Sequence, residues 1–247
     1  MSQYYNVPRT RNLYQPGKFF KVSRSKIDLF LSCQRCFYID RVKGVGRPPG
    51  FPFNLNSAVD LLLKKEFDLH RAKQKAHPMM EAYGLQAVPF EHENMGQWRE
   101  NFVGVQFHHE PTNLTIFGAV DDIWMEVSGD LIVVDYKATS KDGKVNIDAP
   151  WQICYKRQME VYQWLMRHNG FEVSNTGYFV YCNGRRDAKA FDGKLEFDID
   201  ILPYEGNDDW VEGTITDLHA CMNLPDIPEA DPECEYCMYR QAVSNVE

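Results

Sequence analysis

The 247-residue sequence has no apolar run near the ~18 residues that a membrane-spanning helix requires, and its start, Met-Ser-Gln-Tyr-Tyr, lacks the basic then apolar layout of a signal peptide. Both absences argue against membrane insertion and secretion. Internal repeats, low-complexity tracts and a linker that would divide the chain are also missing, so the sequence reads as one domain of residues 1–247. Seven cysteines are an odd number in a chain too long to need disulfide stapling, which favours reduced thiols or metal ligands and a cytoplasmic setting. Basic residues are nearly absent from residues 201–247, where Arg240 faces eleven acids, whereas residues 1–50 hold ten Lys and Arg against Asp28 and Asp40. The net charge of -8 argues mildly against nonspecific coating of nucleic acid. The polarity has two readings: the ends attract each other, or the basic end faces phosphates. What is present in quantity, 44% hydrophobic and 13% aromatic residues, suffices for a sizeable core.

After an irregular start, Ser23 to Arg41 carries Ile27, Phe30, Leu31 and Tyr38 near helical spacing. A second helix is expected with Ser57 as its cap and Val59, Leu62, Leu63 and Phe67 as its apolar stripe, continuing toward Lys75. Gly84 to Asn101 is loop-rich, with a short helix around Trp98. Three strand-like runs follow, roughly 103–110, 114–127 and 131–138, and read as an antiparallel meander. Asp148 and Pro150 open a helix that Asn169 and Gly170 close after His168; strands near 176–183 and 195–201 and a helix over 208–222 complete the series. The pattern predicts an α/β fold, a mixed sheet flanked by helices.

The run Leu131-Ile132-Val133-Val134 is apolar on both faces and reads as a buried strand, yet Asp135 and Lys137 interrupt it, both on one face. Buried charges of this kind pair with each other, bind a metal or open into a solvated cleft. On the preceding run Asp121 shares a face with Ile123 and Met125, while Asp122 points the other way. A reverse turn between paired strands brings Asp121 near Asp135. Two adjacent carboxylates repel unless a divalent cation, Mg2+ or Mn2+, lies between them. Such an ion binds phosphate and an attacking water, with Lys137 holding the water or a phosphate oxygen: hydrolysis of a phosphodiester. An ordinary Asp135–Lys137 pair beside a half-exposed Asp121 is the simpler alternative.

Gly118-Ala119-Val120-Asp121 followed by Val133-Val134-Asp135-Tyr136-Lys137 resembles the core of the PD-(D/E)XK nucleases, in particular their RecB-like branch. Gln158 and Tyr162 match that branch's Gln-x-x-x-Tyr element, and Ser23 to Tyr38 is similar to its opening helix. The resemblance implies a restriction-endonuclease-like core over 103–203, preceded by a basic aromatic arm (1–22) and a helical region (23–102). It is followed by an acidic helix and a Cys-x-x-Cys segment (204–247) that closes onto the N-terminal part. It also implies that Gln158 and Tyr162 lie beside the active site and help hold DNA. Many relatives place a metal-binding His on an upstream helix; the equivalent here is Asp60, with Glu66 and His70 as other candidates.

Cys33-x-x-Cys36 and Cys234-x-x-Cys237 are two chelating pairs at opposite ends of the chain, and four thiolates suit Zn2+ or a [4Fe-4S] cluster. Several RecB-like nucleases, a CRISPR-associated one among them, hold a cluster through one early and three late cysteines. The third late cysteine is missing here, with Cys36 as its substitute. Cys154, Cys182 and Cys221 read as buried packing residues, and His108-His109-Glu110 as structural. Tyr4, Tyr5, Tyr14, Phe19 and Phe20, interleaved with Arg9, Arg11, Lys18 and Lys21, suit either stacking on single-stranded DNA or packing of the arm on the body.

These readings together predict a metal-dependent deoxyribonuclease, an exonuclease or single-strand-active enzyme of repair, recombination or defence. Its expected partner is DNA, single-stranded or at duplex ends, with no membrane and no protein partner specified. The alternatives are a nuclease-fold protein that binds without cutting and a zinc-containing adaptor.

Overall fold

The computed structural model describes residues 12–48, 50 and 53–247. Tyr4, Tyr5, Arg9 and Arg11 of the basic aromatic arm lie outside the described residues. In chain order the elements begin with β1 (Phe20–Ser23), α1 (Arg24–Ser32), α2 (Gln34–Arg41), α3 (Asn54–Arg71), α4 (Pro78–Ala82), β2 (Ala87–Pro89) and α5 (Met95–Trp98). They continue with β3 (Val105–His109), β4 (Leu114–Gly118), β5 (Asp122–Glu126), β6 (Leu131–Thr139), α6 (Ile153–His168), β7 (Thr176–Gly184), β8 (Phe197–Glu205), α7 (Asp209–Met222) and α8 (Glu235–Ser244). Two compact units result: one from Met1–Phe51, Phe107–Phe117 and Asp209–Glu247, the other from Pro52–Gln106 and Gly118–Asp208. Among the described residues no helix is long and apolar enough to cross a membrane.

The first unit holds most of a small sheet in the order β1-β4-β3, with β1 parallel to β4. Its N- and C-terminal segments meet: the Tyr38 hydroxyl donates to the Leu224 carbonyl (3.0 Å) and the Tyr14 hydroxyl to Asn223 Oδ1 (3.0 Å). The single helix expected over Ser23 to Arg41 is two. Cys33 adopts an extended backbone (φ -172°, ψ 109°) between α1 and α2, and its Sγ accepts the Cys36 N–H at the start of α2. Breaking the helix there turns a residue that periodicity places on a helical face into a cap, with its sulfur beside that of Cys36. The acidic C-terminal segment beyond α7 ends in α8, which Cys234 opens. His109 is structural, as expected: buried, it shares hydrogen bonds with Thr112 Oγ1 (2.7 Å) and Glu212 Oε1 (2.5 Å).

The second unit is built on a five-stranded sheet in the order β2-β5-β6-β7-β8, in which only the β6–β7 pair is parallel. That pair needs a long crossover, and α6 supplies it. Alternation along β6 sends Ile132, Val134 and Tyr136 into a core with Leu63 and Phe67 of α3, Trp124 and Val180, and leaves Val133, Asp135 and Lys137 for the α6 side. The expected stripe on α3 is half right. Leu63 and Phe67 are buried, but Leu62 is 63% exposed, because the helix rests on the sheet through a narrow stripe. Ser57 does not cap; it lies inside α3 and its hydroxyl donates to the Phe53 carbonyl. Cys154, expected to be buried, is partly exposed, whereas Cys182 and Cys221 are buried.

The run 114–127 is also not one strand, and the three runs do not form a meander. β4 joins the small sheet and β5 the large one, and between them the Val120 N–H donates to the Trp98 carbonyl (3.1 Å). The break is packed closely. Gly104 has φ +61°, and a Cβ on it would fall on the carbonyl of Gly118. Gly104→Ala is therefore expected to destabilise the protein by about 2–4 kcal/mol, from the left-handed backbone and the overlap together. Urea denaturation checks this, and an unchanged midpoint would show that the close approach is not needed.

Candidate active site

β5 and β6 pair antiparallel with Asp122 opposite Val134 and Ile123 opposite Val133, so Asp121, one residue before β5, falls opposite Asp135 in the same register. Asp121 Oδ2 accepts the Tyr136 N–H (3.0 Å), which draws its carboxylate over the β6 backbone. Its neighbour Asp122 points away, as alternation requires. Fully buried, it is bound by Arg71, by Arg99 Nη2 (2.9 Å) and by the Tyr136 hydroxyl (2.7 Å). Arg99 Nε also donates to the Asp121 carbonyl (3.0 Å), so one guanidinium holds both residues of the turn. Asp122 and Arg99 thus position Asp121.

Asp135 is 0% exposed. Its carboxylate forms an ion pair with Lys137 and accepts from Gln158 Nε2 (2.8 Å), which in turn lies 3.2 Å from the Tyr162 hydroxyl. One helical turn separates Gln158 from Tyr162 on α6, so both side chains reach the same side of the helix. Asp60 enters from α3: Lys64 Nζ bridges Asp60 Oδ2 (2.8 Å) and Asp121 Oδ1 (3.0 Å). Asp60, Asp121, Asp135, Lys137, Gln158 and Tyr162 are thus all in one place. Glu66 and His70 are engaged elsewhere, with His77 (3.0 Å) and the Ala76 carbonyl (3.1 Å). Lys64 is not among the residues singled out from the sequence, although its spacing of four from Asp60 on a helix is a usable signal. Asp60, Lys64, Arg99, Asp121 and Lys137 line a cavity of about 580 Å³.

The electrostatics separate the carboxyls. Burial pushes Asp135 up to about 7, and the charge of Asp121 adds to this against the pull of Lys137. Burial would raise Asp121 as well, but Lys64, Lys137 and the Tyr136 N–H hold it below the usual carboxylate range. Asp60 is raised, by burial and by Asp121. For Lys137 burial disfavours the charge, and the two aspartates more than offset it. Asp60 Oδ1 is buried without a hydrogen-bond donor, whereas Asp135 Oδ2 is buried against the Lys137 ammonium, with Asp121 beside the same carboxyl. Carboxylate oxygens are the donor type a hard divalent cation takes, and Asp60 Oδ1 is the unsatisfied one; among the described residues the three carboxylates are not drawn together as tightly as the four cysteine sulfurs, which lie within 4.8 Å of one another.

The cysteine pairs converge in the first unit. Sγ atoms of Cys33 and Cys237 lie 3.7 Å apart, of Cys36 and Cys234 3.7 Å, and of Cys36 and Cys237 3.9 Å, and all four fall within 4.8 Å of one another. Arg47 Nη2 donates to Cys234 Sγ (3.3 Å), and its guanidinium lies 4.5 Å from the Tyr236 ring centroid. Cys33, Cys234 and Cys237 are buried and Cys36 is partly exposed. With four thiols packed together, burial pushes Cys36 up to about 12, whereas hydrogen bonds from its neighbours bring Cys234 down to about 7 despite burial. Such a group can hold a metal ion.

No curated protein matches the chain. Among solved structures, the crystal structure of SSO0001 is similar over 93% of this chain and 86% of its own, at 16% sequence identity and a TM-score of 0.42. The profile of the PD-(D/E)XK nuclease superfamily matches residues 54–242, a span that takes in Asp60, Asp121, Asp135, Lys137, Gln158 and Tyr162 and the mixed α/β sheet that carries them, and the chain belongs to that superfamily.

Proposed function

We propose that this protein is a Mg2+- or Mn2+-dependent deoxyribonuclease of the RecB-like branch, an exonuclease or single-strand-active enzyme of repair, recombination or defence. The observation that carries the proposal is the meeting of Asp121 and Asp135 across the β5–β6 register, with the Lys137 ammonium beside them and a cavity in front. Asp121 and Asp135 hold the cation, with Asp60 as a third oxygen ligand. When bound, the cation supplies positive charge to the phosphate and makes water a stronger acid. Lys137 orients the attacking water and counters charge on the phosphate. Gln158 fixes the rotamer of Asp135 through its 2.8 Å hydrogen bond, and Tyr162 supports Gln158. Water adds to phosphorus, the bond from phosphorus to the leaving oxygen breaks, and the proton released by the water is returned to that oxygen.

At the four thiols we propose a single zinc ion. Thiolates about 2.3 Å from a central ion stand about 3.8 Å apart; three sulfur pairs here lie 3.7–3.9 Å apart and all four sulfurs fall within 4.8 Å of one another. The sulfurs around a [4Fe-4S] cubane stand more than about 6 Å apart. A four-thiol metal site is kept in a reducing compartment, and on that ground we place the protein in the cytoplasm.

One observation favours a second reading, a nuclease-fold protein that binds nucleic acid without cutting: the Lys64 ammonium already bridges Asp60 and Asp121, the place a cation would take. Labelled single-stranded and duplex DNA, and RNA of the same sequence, incubated with Mg2+, with Mn2+ or with chelator separate the two. Cleavage of DNA that needs the metal and falls at least about a thousandfold in Asp121→Ala supports the enzyme. Binding that leaves every strand uncut under both metals would replace it with the second reading.

A further inference from the structure

A second cavity, of about 420 Å³, adjoins the carboxylate cavity and shares Phe53, Asn56, Val59, Ala138 and Tyr155 with it. Its character differs. Trp151, Tyr155, Phe53, Leu195 and Phe197 surround it, with Trp151 62% and Phe53 74% exposed. Trp151 is held firmly despite its exposure. It occupies the middle of a short 3-10 turn, Pro150–Gln152, that leads into α6, and the buried Gln152 side chain ties this turn down by accepting from the Ala149 N–H (2.9 Å) and donating to the Asn146 carbonyl (2.9 Å). Trp151 meets Tyr155 edge to face (centroids 5.5 Å apart), and Lys137 Nζ lies 4.6 Å from the centroid of the Tyr155 ring. Contacting aromatic rings therefore lead from the exposed Trp151 through Tyr155 to the proposed catalytic lysine.

From this continuity we infer that the aromatic cavity receives the unpaired base of a nucleotide whose phosphate lies at Asp121 and Asp135, so that the substrate strand is single or locally unpaired. The inference rests on the nuclease reading and names its substrate class. A base inside a duplex is stacked and paired and cannot enter a side cavity, whereas a free base offers its π face to Trp151 and Phe53. Two polar groups of the lining are already engaged: Asn56 Nδ2 donates to the Ala138 carbonyl (2.9 Å) and Ser140 Oγ to the Gly184 carbonyl (2.8 Å). Recognition is chiefly by stacking on the aromatic rings that dominate the lining.

The test is binding of the full chain, in Ca2+ or chelator so that nothing is cut, to oligothymidylate, to an abasic strand of the same length and to a blunt duplex. Oligothymidylate is expected to bind about tenfold more tightly than the abasic strand and to quench tryptophan fluorescence. In Trp151→Ala and in Phe53→Ala its affinity is expected to fall toward that of the abasic strand, with an unchanged thermal midpoint because both side chains are exposed. Equal affinity for the base-bearing and abasic strands, or a base preference that survives both substitutions, would overturn the inference. The two readings fail separately. A base preference without cleavage under any metal leaves this site standing and removes the nuclease reading, while cleavage of duplex and single strand at one rate, indifferent to Trp151→Ala, does the reverse.

Discussion

Asp135→Asn is expected to lower phosphodiester cleavage by at least about a thousandfold and, at the same time, to raise the thermal stability of the metal-free protein at pH 8. The first effect follows from removing a charged oxygen ligand and the partner of Lys137. The second follows from linkage. The folded protein raises the Asp135 carboxyl from its ordinary 3.8 to about 7, so it binds this proton more tightly than the unfolded chain does. The stability contributed is complete below about pH 4 and is lost as pH rises through about 7, a difference of up to about 4 kcal/mol for one group. Asparagine keeps the shape and an acceptor for Gln158 but has no charge to bury. Calorimetry of wild type and variant at pH 5 and pH 8 should show the gain mainly at pH 8. A variant that cuts at the wild-type rate would remove Asp135 from the reaction. A stability difference independent of pH would show that its burial is not what raises the carboxyl.

The second large effect concerns the thiols. Purified protein is expected to carry one zinc per chain and no colour, and Cys234→Ser or a strong chelator is expected to cost several kcal/mol. The loss should be local. Cys33 caps α2 and Cys234 opens α8, so hydrogen exchange should rise first in α1, α2 and α8. Elemental analysis and a chelator titration read this directly. Brown protein with a broad band near ~400 nm would replace zinc by an iron–sulfur cluster. Colourless protein that contains no metal and keeps its stability would leave the four thiols as packing groups alone.

The readable parts of the site are those in which spacing along the chain acts through a single local element. Asp135 and Lys137 share a face because strand side chains alternate; Gln158 and Tyr162 share one because a helix turn is about four residues; each Cys-x-x-Cys holds two sulfurs close by itself. The misreadings arose where a distant segment overrode a local pattern. The alternation over 114–127 fits one strand, yet its two halves belong to different sheets, separated by a turn that Trp98, Arg99 and Gly104 hold. Nothing between residues 23 and 41 announces that the helix breaks at Cys33. The break becomes intelligible only when Cys237, two hundred residues later, is seen 3.7 Å away.

The amino-acid sequence by itself determined the chemical inventory of this protein: which carboxylates, amine, amide and thiols are available, and which of them share a face. Periods of 2 and 3.6 residues follow from backbone geometry alone and need no knowledge of neighbours. Only the tertiary structure decided which of these groups meet. It set Asp121 opposite Asp135, brought Lys64 between Asp60 and Asp121, gave Asp122 to a buried arginine network and gathered four thiols from two ends of the chain. Those meetings depend on sheet register and on burial of charge, both long-range quantities that no window of sequence contains.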